Sequence, residues 1–418
     1  MADGSGKGRM LRAFAPGRTE LAGNHTDHEG GRVVAATIAE GITLLASPNG
    51  SDAVRVESAG FAPFSVRLDD LGPRDSERGN PAALVRGMAA GFARAGFVLP
   101  GFDAQVESAL PVGGGLSSSA AFELAFGAAM TLLASGNAQL RWPEYTAMAP
   151  RAGQDAQPQP AHGASKSRRP GGALPDALSL ACMAQDAERD WFGKPCGLMD
   201  QLVIACGGIV EIDFADAAKP LLGPIDFDFN AAGYAVCLVD VGCDHSRYTE
   251  EYARVPADMQ AVARLCGGTV LGQVDEAEFL EHLAEARSVL GDRAALRGLH
   301  FYREMHLTDV RARALRQGDI GAFLRATERS GASSAQYLQN VSCAIDDQPA
   351  MVALALADHL LAGRGACRIH GGGFGGSIQA FVPVDLAPAF VQGMETYLKK
   401  GCCRMLTIGK RGTEASWM

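Results

Sequence analysis

Pro111-Val112-Gly113-Gly114-Gly115-Leu116-Ser117-Ser118-Ser119-Ala120-Ala121 decides how this chain is read. Before it, Phe102 to Leu110 alternates apolar and polar residues and reads as a strand. After it, Leu116 to Ala134 is rich in Ala and Leu and reads as a helix. Glycines let backbone N–H groups turn inward with no Cβ in the way, and the helix that follows offers its unpaired N–H groups and positive dipole end. The hydroxyls of Ser117, Ser118 and Ser119 add donors, or an oxygen ligand for Mg²⁺. Such a turn suits a phosphate group, with a flexible, serine-capped helix entry as the plainer reading. The chain has no GxxxxGK[ST] run here, so the turn is not a Walker loop.

Around this turn the pattern is α+β. Arg32 to Ala46 reads as strand and Pro81 to Phe97 as helix. A helical period runs over Leu174 to Phe192 and puts Glu188 on a mostly apolar face, where a carboxylate needs a cation or donors. Strands are expected at Leu202 to Phe214 and Tyr234 to Val241, and a largely helical region over Thr249 to Ala332. The last quarter gives a helix at Gln348 to Gly363, a strand at Ser377 to Pro383 and a helix at Leu386 to Lys400. Arg151 to Pro170 is rich in Pro, Gln and basic residues with almost nothing bulky and apolar, and reads as a surface insertion. A boundary near 215 divides the chain into two α+β halves, 1–215 and 216–418.

Composition limits the function classes. At 418 residues, 47% hydrophobic and 20% charged, the chain is globular and long enough for two or three domains. No apolar run of membrane-spanning length is evident, and no leader pattern follows the first residues. A net charge of −9 with 7% aromatics argues against nucleic acid as a partner. Ten cysteines without a CxxC read as reduced thiols, which places the protein in the cytoplasm.

Three further stretches carry chemistry. Ala15-Pro16-Gly17-Arg18-Thr19-Glu20-Leu21-Ala22-Gly23-Asn24-His25-Thr26-Asp27-His28-Glu29-Gly30-Gly31 reads as a loop of short donors and acceptors between glycines, suited to a polyhydroxylated ligand. In Pro195-Cys196-Gly197-Leu198-Met199-Asp200-Gln201, Asp200 is a carboxylate among apolar neighbours, either a cap or ion-pair half, or a group acting on a hydroxyl. Ile369-His370-Gly371-Gly372-Gly373-Phe374-Gly375-Gly376-Ser377 contains GxGxxG, but a strand follows where a dinucleotide fold needs a helix.

These four segments in this order resemble the galactokinase family of the GHMP small-molecule kinases. The resemblance covers about residues 13 to 410 apart from the insertion. It implies the two-domain α+β GHMP kinase fold with the site in the cleft between the halves, and ATP and Mg²⁺ as co-substrate and cofactor. It makes Arg18 and Asp200 the catalytic pair. Gly113, Gly114, Gly115, Leu116, Ser117, Ser118 and Ser119 become the ATP-phosphate loop, and Ser119 and Glu188 the Mg²⁺ ligands. Asn24, His25, Thr26, Asp27, Gly197 and Tyr252 become sugar contacts. The expected reaction is ATP-dependent phosphorylation of the anomeric hydroxyl of galactose.

Two positions depart from the family pattern, which carries Glu where this chain has Asn24 and Tyr where it has His28. Two anions about 4 Å apart at an effective dielectric near 20 repel by about 4 kcal/mol. Losing that repulsion at Asn24 would admit a uronic acid, so a galacturonate 1-kinase is the alternative substrate reading. A sugar- and ATP-binding sensor without turnover is the alternative from another class.

Overall fold

The strand Leu11–Ala22 organises the molecule. In this computed structural model the described residues are 9–111, 114–135, 137, 139–141, 174–242, 248–342, 344, 346–374 and 376–418. Val112, Gly113 and the 151–170 insertion lie outside them. Among the described residues the strands form one sheet of nine and one of four. The larger sheet runs, edge to edge, Phe64–Arg67, Ala53–Ser58, Phe102–Ser108, Arg32–Pro48, Leu11–Ala22, Glu414–Trp417 and Gln139–Arg141. Arg32–Pro48 is long enough to pair also with Ile209–Asp213, which carries Leu221–Ile225. The smaller sheet runs Ala366–Ile369, Ser377–Pro383, Tyr234–Asp240 and Cys403–Leu406.

The stretch read as a loop from residue 15 is therefore a strand as far as Ala22, paired along one edge with Arg32–Pro48 and buried throughout. Its polar residues misled the reading because they point into a site rather than into solvent. Pro16, which cannot donate to a ladder, sits beside a register shift between Pro16 and Arg18 where the pairing with Arg32–Pro48 is interrupted.

The stretch read as strand from Leu202 is the helix Met199–Cys206, followed by the strand Ile209–Asp213. A short apolar run looks the same in a buried helix and a buried strand, and Gly207 and Gly208, both at positive φ, make the corner between them. The expected helix to Phe192 is two pieces: α-helical over Ala177–Asp186, then a wide π turn over Ala187–Phe192. That widened turn carries Glu188.

The helix Ser118–Ser135 packs on Leu11–Ala22 and Arg32–Pro48. It is long and apolar enough by length and composition to cross a membrane, against the expectation that no such stretch exists, but two-thirds of it is buried inside the protein. Its hydropathy reflects a core helix covered on most sides.

The division near 215 falls inside a hairpin, since Ile209–Asp213 and Leu221–Ile225 pair in the larger sheet, and Glu414–Trp417 returns to that sheet from the far end of the chain. The helices Asp292–Gln317 and Ile320–Ser333 pack on each other, and the second also packs on Ala366–Ile369. Where the two sheets approach, Gln379 Nε2 donates to Thr19 Oγ1 at 2.8 Å and Arg368 Nη1 to Glu20 Oε1 at 2.9 Å. The middle of the first strand is thus held by both halves.

Candidate active site

Arg18 leaves that strand and meets Asp200, 182 residues away, through two parallel bonds: Nε to Oδ1 at 2.6 Å and Nη2 to Oδ2 at 2.7 Å. This fork-to-carboxylate geometry is the strong form of the pair. The third arm, Nη1, donates to the Gly115 carbonyl at 2.7 Å, and the Arg18 backbone N–H donates to the Leu116 carbonyl at 3.2 Å. Ser117 Oγ donates to Asp200 Oδ2. Strand, Gly-Ser turn and the Met199–Cys206 helix therefore meet at one carboxylate. Burial pushes the Asp200 carboxyl up, but Arg18 and then Ser117 outweigh it and hold the group below its ordinary range.

Gly115 sits at φ +73°, and a Cβ there would lie 3.0 Å from Ser377 Oγ and 3.3 Å from His370 Nδ1. The Gly-rich turn after Phe102–Ser108 thus lies against the residues flanking the third Gly-rich motif, which explains why the latter needs no helix of its own. Leu116 is buried as an anchor, Ser117 sits at φ +56°, and the helix begins at Ser118.

At the second residue of that helix, Ser119 Oγ donates to Glu188 Oε1 at 2.8 Å. Lys194 Nζ donates to the same oxygen at 2.8 Å, and Gln201 Nε2 donates to Oε2 at 2.8 Å. Glu188 is 2% exposed. Among the described residues, Gln201 Oε1 and both carboxyl oxygens of fully buried Glu123 have no hydrogen-bond partner. Burial, and next Glu188, push the Glu123 carboxyl well above its ordinary range. A hydroxyl and carboxylates form a hard-oxygen set with orphaned oxygens close behind, which fits Mg²⁺. No group of three or more His, Cys, Asp or Glu converges as a metal cage among the described residues. The remaining ligands would come from phosphate and water, as is usual for Mg²⁺.

On the other side of Asp200 lie Asp27, Gly197 and Tyr252. A Cβ on Gly197 would lie 2.0 Å from Asp27 Oδ2, so the two touch with no room for a side chain. Burial foremost, with Asp200 among the further causes, raises the Asp27 carboxyl. The Tyr252 ring packs on Gly372, where a Cβ would meet its Cε2 at 2.3 Å, and lies 5.6 Å from the His25 ring. His245 and Ser246, which anchored the placement of Tyr252 in sequence, lie outside the described residues.

Three of the expected sugar contacts form the frame instead. Asn24 is fully buried. Its Nδ2 donates to the Gly371 carbonyl at 2.5 Å and to Glu20 Oε1 at 3.4 Å, and its Oδ1 accepts from Asn340 Nδ2 at 2.9 Å and Ser334 Oγ at 3.3 Å. That amide has no capacity left for a ligand, so the argument from its missing charge fails. The Thr26 hydroxyl has the Arg32 carbonyl at 2.7 Å and the Gly23 carbonyl at 3.0 Å as acceptors, and closes the turn.

His25, at φ +61°, has both ring nitrogens engaged: Nε2 with the Gly372 carbonyl at 3.0 Å and Nδ1 with His28 Nε2 at 3.1 Å. A carbonyl only accepts, so Nε2 carries the hydrogen. Burial, with His28 next, takes the ring down to about 3, so it is neutral and its Nδ1 accepts from His28. His28 Nδ1 also meets Glu29 Oε1, at 3.1 Å, so His28 donates from both nitrogens and is an imidazolium. Burial opposes that charge, but Glu29 and Asp27 raise the ring overall.

The long helix Asp292–Gln317 fixes this loop from below. Glu304 Oε1 accepts from the backbone N–H groups of Gly23 and Asn24, each at 3.2 Å, and from Arg311, while His300 Nε2 donates to the Asn24 carbonyl at 3.0 Å. Burial alone would raise Glu304, yet Arg311 leads the groups that take it down to about 2.

Nothing in the reading of the sequence singled out Lys194, Gln201, Glu123 or Glu304. Gln201 adjoins Asp200 and Lys194 precedes the Pro-Cys-Gly run, so both were in view, but neither follows a spacing that marks it. A cavity of about 960 Å³ opens elsewhere, between residues 205–209, 224–230 and 405–414, and none of the residues above lines it.

Comparison with known proteins agrees with this geometry. The galactokinase galactose-binding signature matches residues 6–48, and the GHMP kinases N terminal domain matches residues 83–165. The galactokinase of Bos taurus is 30% identical over 396 residues, covering 92% of this chain and 87% of its own, and that of Homo sapiens is 30% identical over 390 residues, covering 90% and 85%. The structure of Lactococcus lactis galactokinase complexed with galactose superposes with a TM-score of 0.75 at 23% identity, over 97% of this chain and 94% of that one. Methanococcus jannaschii mevalonate kinase superposes with a TM-score of 0.60 at 12% identity, over 99% of both. The two structural likenesses establish the α+β GHMP kinase fold.

Proposed function

The chain belongs to the galactokinase family, and from that premise we propose that it transfers the γ-phosphoryl group of ATP to the anomeric hydroxyl of galactose, giving galactose 1-phosphate and ADP. The observation that carries the assignment is the bidentate Arg18–Asp200 pair at the Gly-Ser turn. Phosphate would lie at the start of the Ser118–Ser135 helix, and sugar against Asp27, Gly197 and Tyr252, in the cleft between the two halves. The anomeric oxygen forms a bond to the γ-phosphorus as the bond to the bridging oxygen of ADP breaks, and the hydroxyl proton goes to Asp200. A carboxylate held below its ordinary range is a weak base, so Asp200 orients the hydroxyl and takes the proton late, as a loose transition state allows. Arg18 keeps Asp200 ionised and adds positive charge beside the transferring group.

Ser119 and Glu188 would hold Mg²⁺, which when bound neutralises charge on the phosphate chain. A reducing, ATP-containing cytoplasm is the expected place of action.

The test is Asp200→Ala. We expect galactose 1-phosphate formation to drop by at least a thousandfold while the protein still melts cooperatively and binds ATP. A variant retaining a tenth of wild-type turnover would remove Asp200 from this role. Wild-type protein that binds both ligands without making product would be a sensor.

A further inference from the structure

Lys194 is the one cation bound to Glu188 among the described residues, and nothing in the mechanism above uses it. It sits in the bend between the wide turn carrying Glu188 and the helix carrying Asp200. Gly193, at φ +87°, and the bond from the Lys194 backbone N–H to the Glu188 carbonyl at 3.0 Å set that bend. The ammonium and the Ser119 hydroxyl donate to the same oxygen, each at 2.8 Å, so they lie no farther apart than two hydrogen bonds end to end. Ser119 opens the helix whose N-terminal turn forms the phosphate cradle. Glu188 is buried, whereas the Lys194 side chain is 57% exposed, so water can solvate the ammonium when it leaves its partner. The carboxylate cannot lose it without a replacement, because an unpaired buried charge is costly. A divalent cation on Glu188 would be that replacement and would free the ammonium beside the phosphate chain. Lysine suits the exchange, being a compact point charge on a flexible stem and a good phosphate ligand.

We propose that Lys194 is a resident cation of the phosphate site, holding Glu188 in the nucleotide-free protein and moving onto the phosphate chain when ATP arrives with its metal. The inference rests on the kinase reading and adds to it a phosphate-positioning residue that also guards the metal carboxylate.

The test uses the full-length protein and the variants Lys194→Met and Lys194→Arg. Calorimetry reads the binding of ATP and of AMP with Mg²⁺ present, and paramagnetic resonance reads the binding of Mn²⁺ alone without nucleotide. Lys194→Met should weaken ATP at least tenfold and leave AMP within about twofold, because the lost contact lies beyond the α-phosphate. The same variant should bind Mn²⁺ alone several-fold more tightly, since nothing competes for Glu188. Lys194→Arg should recover most of the ATP affinity, and KM for ATP should follow the binding while kcat moves less. Equal ATP affinity in wild type and Lys194→Met, or unchanged Mn²⁺ affinity, would overturn the role of the lysine and leave the kinase assignment standing. A wild-type protein that fails to bind ATP would overturn both.

Discussion

Asn24 illustrates how a residue type can mislead when its hydrogen-bond partners are unknown. In sequence it occupies a place where the family carries a carboxylate, and its neutrality suggested tolerance of an acidic sugar. In the structure its amide joins Gly371, Asn340, Ser334 and Glu20, and so ties the first motif to the third. A carboxylate there would face a carbonyl and the Glu20 carboxylate in a site without water. Asn24→Glu is therefore expected to destabilise folding by roughly 3–5 kcal/mol, the cost of an uncompensated buried charge, rather than to change the ratio of galactose to galacturonate turnover. Urea denaturation beside a two-substrate assay distinguishes the outcomes, and a stable variant with an altered ratio would return residue 24 to the sugar pocket.

At the scale of elements, the bend over residues 193–198 does the positioning. It joins the wide turn of Glu188 to the helix of Asp200 and passes Gly197 against Asp27. The Gly197 backbone is not in the left-handed region, so alanine meets no backbone strain and its effect is the clash of its Cβ with the Asp27 carboxylate. Gly197→Ala should displace the Asp27 carboxylate, raise KM for the sugar at least tenfold, and leave KM for ATP within about threefold. Equal changes in both constants would mean that the substitution disturbs the whole bend. Much of the element pattern was legible: the strand–turn–helix over 102–135, the helical region after 249, and the strand following the third Gly-rich motif. The first strand and the Met199–Cys206 helix were not, because polar residues facing a buried site mimic a loop and a short apolar run has no period of its own.

For the whole molecule, burial of neutral histidines decides the response to acid. His25, His300 and His370 all lie below the ordinary imidazole value, burial being the first cause in each. The unfolded chain protonates them near pH 6.5 while the folded chain does not, His25 holding out to about pH 3. Their contribution to stability is therefore complete above about pH 6.5 and is lost as the pH falls. Glu123 opposes this in direction, since burial raises its carboxyl in the folded chain. The three histidines outnumber it, so stability should fall as the pH drops from 7 to 5. Denaturation midpoints that stay level from pH 7 to pH 5 would show that the buried histidines are not neutral.

The sequence alone determined the chemistry on offer. Its glycines and serines mark a phosphate turn, its acid and base types mark a transfer site, and local order along the chain is enough to read both. It did not determine which groups meet. Arg18 and Asp200 are 182 residues apart, Glu188 shares one oxygen between a helix and a bend, and Asn24 is closed in by strands and loops from the far end. Those contacts depend on the packing of two sheets and their helices. Only that packing excludes water from each polar group, and so decides whether the group faces a ligand or belongs to the wall.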